Sequence, residues 1–137
     1  MQEPKEGKKR VSVLLIEDNA TDAFLTKEIL SESERTDYHI TVIRSGVDAL
    51  AYLDSEPRSQ NASKPDLILL DLNLPKMHGF EFLERIKTDQ GLSAIPVCIL
   101  TTSHAAQDRE RAEELKVGYL LKPLDLKEFE ETLSDTV

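Results

Sequence analysis

Residues 66–79 read DLILLDLNLPKMHG, and the fold turns on them. Leu67, Ile68, Leu69 and Leu70 form an unbroken apolar run that stops at a carboxylate, Asp71. A short run without polar alternation predicts a strand covered on both faces, as in a parallel α/β sheet. Such sheets bind ligands beyond the carboxyl ends of their strands. Asp71 therefore stands at the edge where a sheet of this kind does its chemistry. Pro75 and Gly79 then turn the chain toward its next element.

Upstream, residues 11–16 (VSVLLI) make a similar run that ends on Glu17 and Asp18. With the two strands side by side, Glu17, Asp18 and Asp71 converge, and carboxylates so placed call for a cation. Asn19 or Thr21 is placed to cap the helix that follows, because a short polar side chain accepts from its free amides. Ala23, Phe24, Ile29 and Leu30 carry that helix to about Ser31. Residues 39–44 (HITVIR) alternate and predict the second strand. Ser45 with Asp48 is a weak capping box, and Val47, Leu50, Ala51 and Leu53 supply the face of the second helix. Residues 55–65 (SEPRSQNASKP) have the polar, proline-bounded composition of a loop.

Beyond Gly79, Phe80, Leu83 and Ile86 mark a third helix ending near residues 88–91. Pro96 introduces a fourth strand, 97–100, with Thr101, Thr102 and Ser103 at its end; Thr102 or Ser103 is the expected cap of the next helix. Residues 105–116 are helical by propensity, but only Ala105, Ala112 and Leu115 form an apolar face, which predicts a weakly held helix. Residues 117–121 are the fifth strand, Lys122-Pro123 breaks it, and Leu126, Phe129 and Leu133 carry a last helix. Five βα units in succession predict a single doubly wound α/β domain with a five-stranded parallel sheet. A flexible polar tail is expected over 1–10, and one domain over 11–137 with no linker, repeat or output domain.

The chain has 137 residues, 17 basic against 26 acidic, and a net charge of −9. An acidic surface argues against a nucleic-acid backbone as partner, since that contact relies on Lys and Arg clusters. No segment approaches the ~20 apolar residues that span a bilayer, and the N-terminus lacks the apolar core of a signal peptide. Cys98, inside the run IPVCIL, reads as a small buried hydrophobe and can form no intrachain disulfide, which fits a reducing compartment. A cytoplasmic protein without membrane or nucleic-acid partner is expected. His39, His78 and His104 have no metal-ligand spacing and read as surface or turn residues. The acidic run 125–135 reads as a solvated helix face.

Four of the five strands thus end in reactive side chains: Glu17/Asp18, Asp71, Thr101/Thr102 and Lys122. In that order, with D-x-x-x-P-x-x-x-G over Asp71, Pro75 and Gly79 and with Lys122-Pro123, the chain resembles a response-regulator receiver domain, the phosphoacceptor module of two-component signalling. The resemblance runs from Val11 to the C-terminus and implies a (βα)5 flavodoxin-like fold. It makes Asp71 the phosphoacceptor and assigns Mg²⁺ to Glu17 (through water), Asp18, Asp71 and the carbonyl of Asn73. Lys122 would neutralise the phosphoryl oxygens and Thr101 would donate its hydroxyl to them, with a cis Lys122-Pro123 bond. Thr101 and Tyr119 would be the switch pair. EDN-x-x-D near the start, the long second αβ loop and LTTS resemble stand-alone regulators paired with bacterial and cyanobacterial phytochrome-type kinases.

The implied partners are a sensor histidine kinase and a second copy of the chain, as a homodimer or a monomer–dimer equilibrium on the fourth- and fifth-helix face. The module would not be an enzyme beyond self-catalysed phosphorylation and dephosphorylation. Departures from the family pattern are Glu-Asp for Asp-Asp, Thr102 where alanine is usual, and LKVGYLLKP in place of the Ala-Asp-Tyr phrase. Asn73 and Ser103 occupy positions that influence dephosphorylation in the family. The competing readings are a degenerate receiver acting as a constitutive docking module, a Mg²⁺-dependent phosphatase with an Asp nucleophile, and a flavodoxin-like nucleotide binder. Against the phosphatase stands Asn73, where a second carboxylate is usual. Against the nucleotide binder stands Glu17-Asp18-Asn19-Ala20, which repels phosphate where a Gly-rich loop would cradle it.

Overall fold

The computed structural model describes residues 7–55 and 64–136. Strands and helices alternate in the order β1 (Lys9–Ile16), α1 (Ala20–Ser31), β2 (Thr36–Ile43), α2 (Gly46–Ser55), β3 (Leu67–Leu70), α3 (Gly79–Lys87), β4 (Val97–Thr101), α4 (Ala106–Glu114), β5 (Gly118–Leu121) and α5 (Leu126–Thr136). Every pairing is parallel and the strand order is β2-β1-β3-β4-β5, the doubly wound sheet expected from the sequence.

All four residues of β3 are buried, because successive side chains enter two different cores. Leu67 and Leu69 join Leu15, Cys98 and Leu100 against Leu30 of α1 and Phe129 of α5. Ile68 and Leu70 join Leu14, Ile16 and Ile99 against Leu53 of α2 and Phe82, Leu83 and Ile86 of α3. Full burial of such a side chain is worth about 1.5–3 kcal/mol, so these two layers hold the helices to the sheet. Cys98 is buried as expected, and burial pushes its thiol up to about 12.

Strand pairing corrects two boundaries. β1 starts at Lys9 and β2 covers Thr36–Ile43 in place of 39–44, because the two strands pair over their whole length, from Lys9 opposite Thr36 to Ile16 opposite Ile43. Ladder hydrogen bonds recruit polar residues that no apolar pattern marks. Lys9 and Arg10 thus belong to the sheet and not to the tail. In α2 the buried apolar side chains are Ala49 and Leu53, with Leu50 packed beside them; Val47 is 45% exposed and Ala51 is exposed. Residues 56–63 of the expected loop lie outside the described residues.

The helix ends follow local chemistry. Asn19, not Thr21, caps α1, its Oδ1 accepting from the Asp22 N–H at 2.9 Å. Ser45 Oγ accepts from the Asp48 N–H at 3.1 Å, which is half of a capping box. α4 is shorter than 105–116 because the chain leaves it through Lys116 at φ 60°. There the Lys116 and Val117 N–H groups bond the Glu113 and Ala112 carbonyls, a Schellman closure. Ala112 is the one buried residue of α4, while Ala105 is exposed and Leu115 half-buried.

Neither Thr102 nor Ser103 occupies the α4 cap; that place falls to Ala105, which makes no side-chain cap bond. His39 is half-buried in β2, 3.0 Å from Asp37, rather than on a free surface, while His78 caps α3 and His104 is exposed. The acidic face of α5 is not wholly solvated: Glu130 accepts from Ser33 Oγ and Tyr38 OH, both at 2.8 Å. Among the described residues no helix is long and apolar enough to cross a membrane.

Candidate functional site

Register builds the site. Ile16 pairs with Leu70, and the Asp71 N–H bonds the Ile16 carbonyl at 3.1 Å, so Glu17 and Asp71 leave the sheet side by side. Chain order reverses between β1 and β3, the switch point at which open α/β sheets bind ligands. On the other flank Thr101 pairs with Leu121, and the Lys122 N–H bonds the Thr101 carbonyl at 2.9 Å. The Lys122-Pro123 peptide is cis, as expected.

The loop after β3 folds back under Asp71. Gly79 donates its N–H to the Leu72 carbonyl at 3.0 Å. A Cβ on Gly79 would lie 2.8 Å from both the Asp71 carbonyl oxygen and Leu72 Cα, which explains the glycine of the D-x-x-x-P-x-x-x-G phrase. Between them Met77 bonds back to the Pro75 carbonyl at 2.7 Å around Lys76, at φ 68°. The Asp71 carboxylate is held by its own loop, with Oδ1 accepting from the Asn73 N–H at 3.2 Å.

Its other oxygen faces Lys122. The ammonium lies 2.6 Å from Glu17 Oε1, 2.8 Å from Asp22 Oδ2 and 3.2 Å from Asp71 Oδ2. Glu17 is 2% exposed, and burial raises its pKa above the ordinary value against the opposing pull of Lys122 and the Asn19 N–H. For Lys122 burial works in the opposite sense, disfavouring its charge. Its hydrogen bonds to Asp22 and Glu17, and the charges of Asp71 and Glu17, outweigh that and hold the ammonium above the usual lysine range. Asp22 was not among the expected site residues; nothing in its local spacing reveals a partner a hundred positions away.

Thr101 is fully buried beside this cluster, its Oγ1 accepting from the Ser103 N–H at 3.2 Å. Ser103 Oγ accepts from the Ala105 N–H at 3.2 Å and donates to Asp108 at 2.6 Å. Half-buried Tyr119 donates its hydroxyl to the Ser103 carbonyl at 2.8 Å, and Arg109 lies 4.9 Å over its ring. The Tyr119 ring therefore spans from β5 to the β4–α4 loop. Asp18, Asn73 and Thr102 are exposed at the same edge.

The donor chemistry suits a hard divalent cation. Glu17, Asp22 and Asp71 face a single ammonium at this edge, with Asp18 exposed beside them, and oxygen ligands of this kind are what magnesium takes. Among the described residues no three His, Cys, Asp or Glu side chains are gathered as a metal-holding cluster. The carboxylates are drawn onto Lys122 instead, so the ammonium has to yield before Glu17 and Asp71 can share a cation. A groove of about 220 Å³, lined by Leu25, Thr26, Ile29, Lys122 and Leu124 among others, opens beside the ammonium. The larger cavity, about 730 Å³, opens at the amino-terminal end of the sheet and shares no residue with this cluster.

The family model of the response regulator receiver domain matches residues 13–134. The chain belongs to that family. This receiver domain is 43% identical over 118 residues to response regulator Rcp1 of Synechocystis sp., covering 85% of this chain and 80% of that one. It is 40% identical over 126 residues to a probable methanogenesis regulatory protein, FilR2, of Methanothrix harundinacea, covering 90% and 79%. Among solved structures it is similar to the phosphorylated cyanobacterial phytochrome response regulator RcpA, with TM-score 0.77, 39% identity and coverage of 93% and 97%. It is also similar to the Mn²⁺-bound form of Rcp1, with TM-score 0.73, 42% identity and coverage of 86% and 85%. The receiver domain is thus of the two-component response-regulator type, and its resemblance to phytochrome-associated regulators holds.

Proposed function

We propose that this receiver domain is a phosphoacceptor switch, taking a phosphoryl group from a sensor histidine kinase onto Asp71 and signalling by protein contact. The observation that carries the proposal is the pairing of buried Asp71 with the Lys122 ammonium at the switch point of the sheet. Asp71 attacks the phosphorus of a phosphohistidine, the P–N bond breaks, and an acyl phosphate forms on the carboxylate. Phosphoryl transfer demands positioning and charge neutralisation more than covalent help. The loop bond from the Asn73 N–H orients Asp71 for this, and Lys122 supplies positive charge to the equatorial oxygens.

Glu17, Asp18, Asp71 and the Asn73 carbonyl would hold Mg²⁺, which neutralises the phosphoryl oxygens when bound. Thr101 then exchanges the Ser103 N–H for the phosphoryl group, and Tyr119 follows by releasing the Ser103 carbonyl. That biases a second arrangement of the β4–α4 loop and α4. The small buried contribution of α4 supports a helix able to shift. The phytochrome regulators among the similar structures support a phytochrome-type kinase as partner.

Incubation with acetyl phosphate, followed by intact mass, tests the reading. A gain of one phosphoryl group with Mg²⁺, lost with EDTA and in Asp71→Asn, is the expected result; no gain in wild type favours the docking-module reading. Signal exit through a second copy, on the α4–α5 face, predicts a dimer or monomer–dimer equilibrium in light scattering with beryllofluoride. A monomer at every concentration contradicts it.

A further inference from the structure

Lys122 has three carboxylate partners, and the proposed chemistry makes use of only two. Glu17 and Asp71 belong to the expected cation site, whereas Asp22 stands apart on the first turn of α1. Its placement is set by the helix start: Asn19 caps α1 by accepting from the Asp22 N–H at 2.9 Å, so the backbone that carries the carboxylate is pinned. The carboxylate reaches across to β5, where its Oδ2 lies 2.8 Å from Lys122 Nζ, closer than Asp71 at 3.2 Å. Asp22 is 35% exposed and the Lys122 side chain 11%, so Asp22 holds the ammonium from the solvent side while Glu17 holds it from within.

An ammonium lodged between Glu17 and Asp71 and a divalent cation on the same carboxylates exclude one another. When the cation arrives, Lys122 must leave those oxygens without being left in a partly buried place with no counter-charge. We propose that Asp22 is a positioning residue that keeps Lys122 at the site through this exchange. It receives the ammonium as Glu17 and Asp71 turn to the cation, and holds it within reach of the incoming phosphoryl oxygens. The inference rests on the proposed cation site, and the residue acts through Lys122 without being a ligand itself. Without Asp22 the ammonium has no second place to go and stays on Glu17 and Asp71, so the cation binds less well.

Calorimetric titration of the full chain with Mg²⁺ tests this in four proteins: wild type, Asp22→Asn, Lys122→Gln and the double variant. Asp22→Asn should weaken Mg²⁺ binding about threefold or more, the low end of coupling between contacting residues. In the Lys122→Gln background the same change should have little effect, and Asp22→Glu should restore binding toward wild type. Equal weakening in both backgrounds overturns the inference, because Asp22 would then act only as a nearby negative charge. No weakening in the wild-type background overturns it as well. A wild type that binds no Mg²⁺ overturns the cation site itself, an outcome read separately from the comparison of variants.

Discussion

Glu17 carries the electrostatic tension of the site. It is buried against Asp71, and its carboxylate form is stabilised chiefly by the Lys122 ammonium at 2.6 Å. Desolvation wins, and the folded-state pKa lies above the ordinary value of 4.5. The sign of the consequence follows from linkage: the folded protein binds this proton more tightly than the unfolded chain. Stability from Glu17 is fully present below about pH 4.5 and is lost as pH rises through the folded-state value. Glu17→Gln, melted in EDTA, should therefore unfold at a higher temperature than wild type at pH 7, with the difference shrinking toward pH 4.5. A variant less stable at pH 7 would show that the Lys122 contact outweighs the burial cost. Asp71 and Lys122 were legible as single residues because strand ends and a Lys-Pro phrase mark them. Asp22 was not, because its partner Lys122 lies a hundred positions away and only the fold brings the two together.

Elements place these residues, and the tightest placement is the approach of α3 to the loop after β3. Gly79→Ala would drive a Cβ to 2.8 Å from two backbone atoms, so the loop carrying Asp71 has to move. The expected cost is about 1–3 kcal/mol, as for overpacked sites generally, read as a lower denaturant midpoint with slower phosphoryl uptake. A neutral outcome would mean that the loop yields easily and does not fix Asp71. The apolar runs of β3 and β4 and the helix faces of α3 and α5 were legible because core packing alone decides them. The early starts of β1 and β2 were not, since Lys9, Arg10, Thr36 and Asp37 enter the sheet through ladder bonds between distant segments. The α2 face was legible only at Leu50 and Leu53, for a related reason. Val47 is apolar but points away, while Ala49, too small to weigh in a periodicity, is fully buried.

For the molecule as a whole, the sheet gathers one reactive edge and the helices frame it. Next to that edge α1 exposes Leu25 (47%), which lines the groove beside Lys122. An apolar side chain at the entrance to the ammonium would, on the proposed function, suit docking of a phosphoryl-donor kinase. Leu25→Ala should slow transfer from a kinase while leaving uptake from acetyl phosphate unchanged; equal slowing of both would place Leu25 in folding or chemistry. On the proposed function, this edge presents Asp71 to a phosphoryl donor. Borohydride reduction of the acetyl-phosphate-treated protein, followed by peptide mass mapping, tests it most directly. Reductive modification on Asp71 alone, dependent on Mg²⁺, is the predicted result. Reduction at Asp18, a phosphoryl group retained on a hydroxyl such as Thr101, or reduction at Asp71 without need of the cation would contradict it.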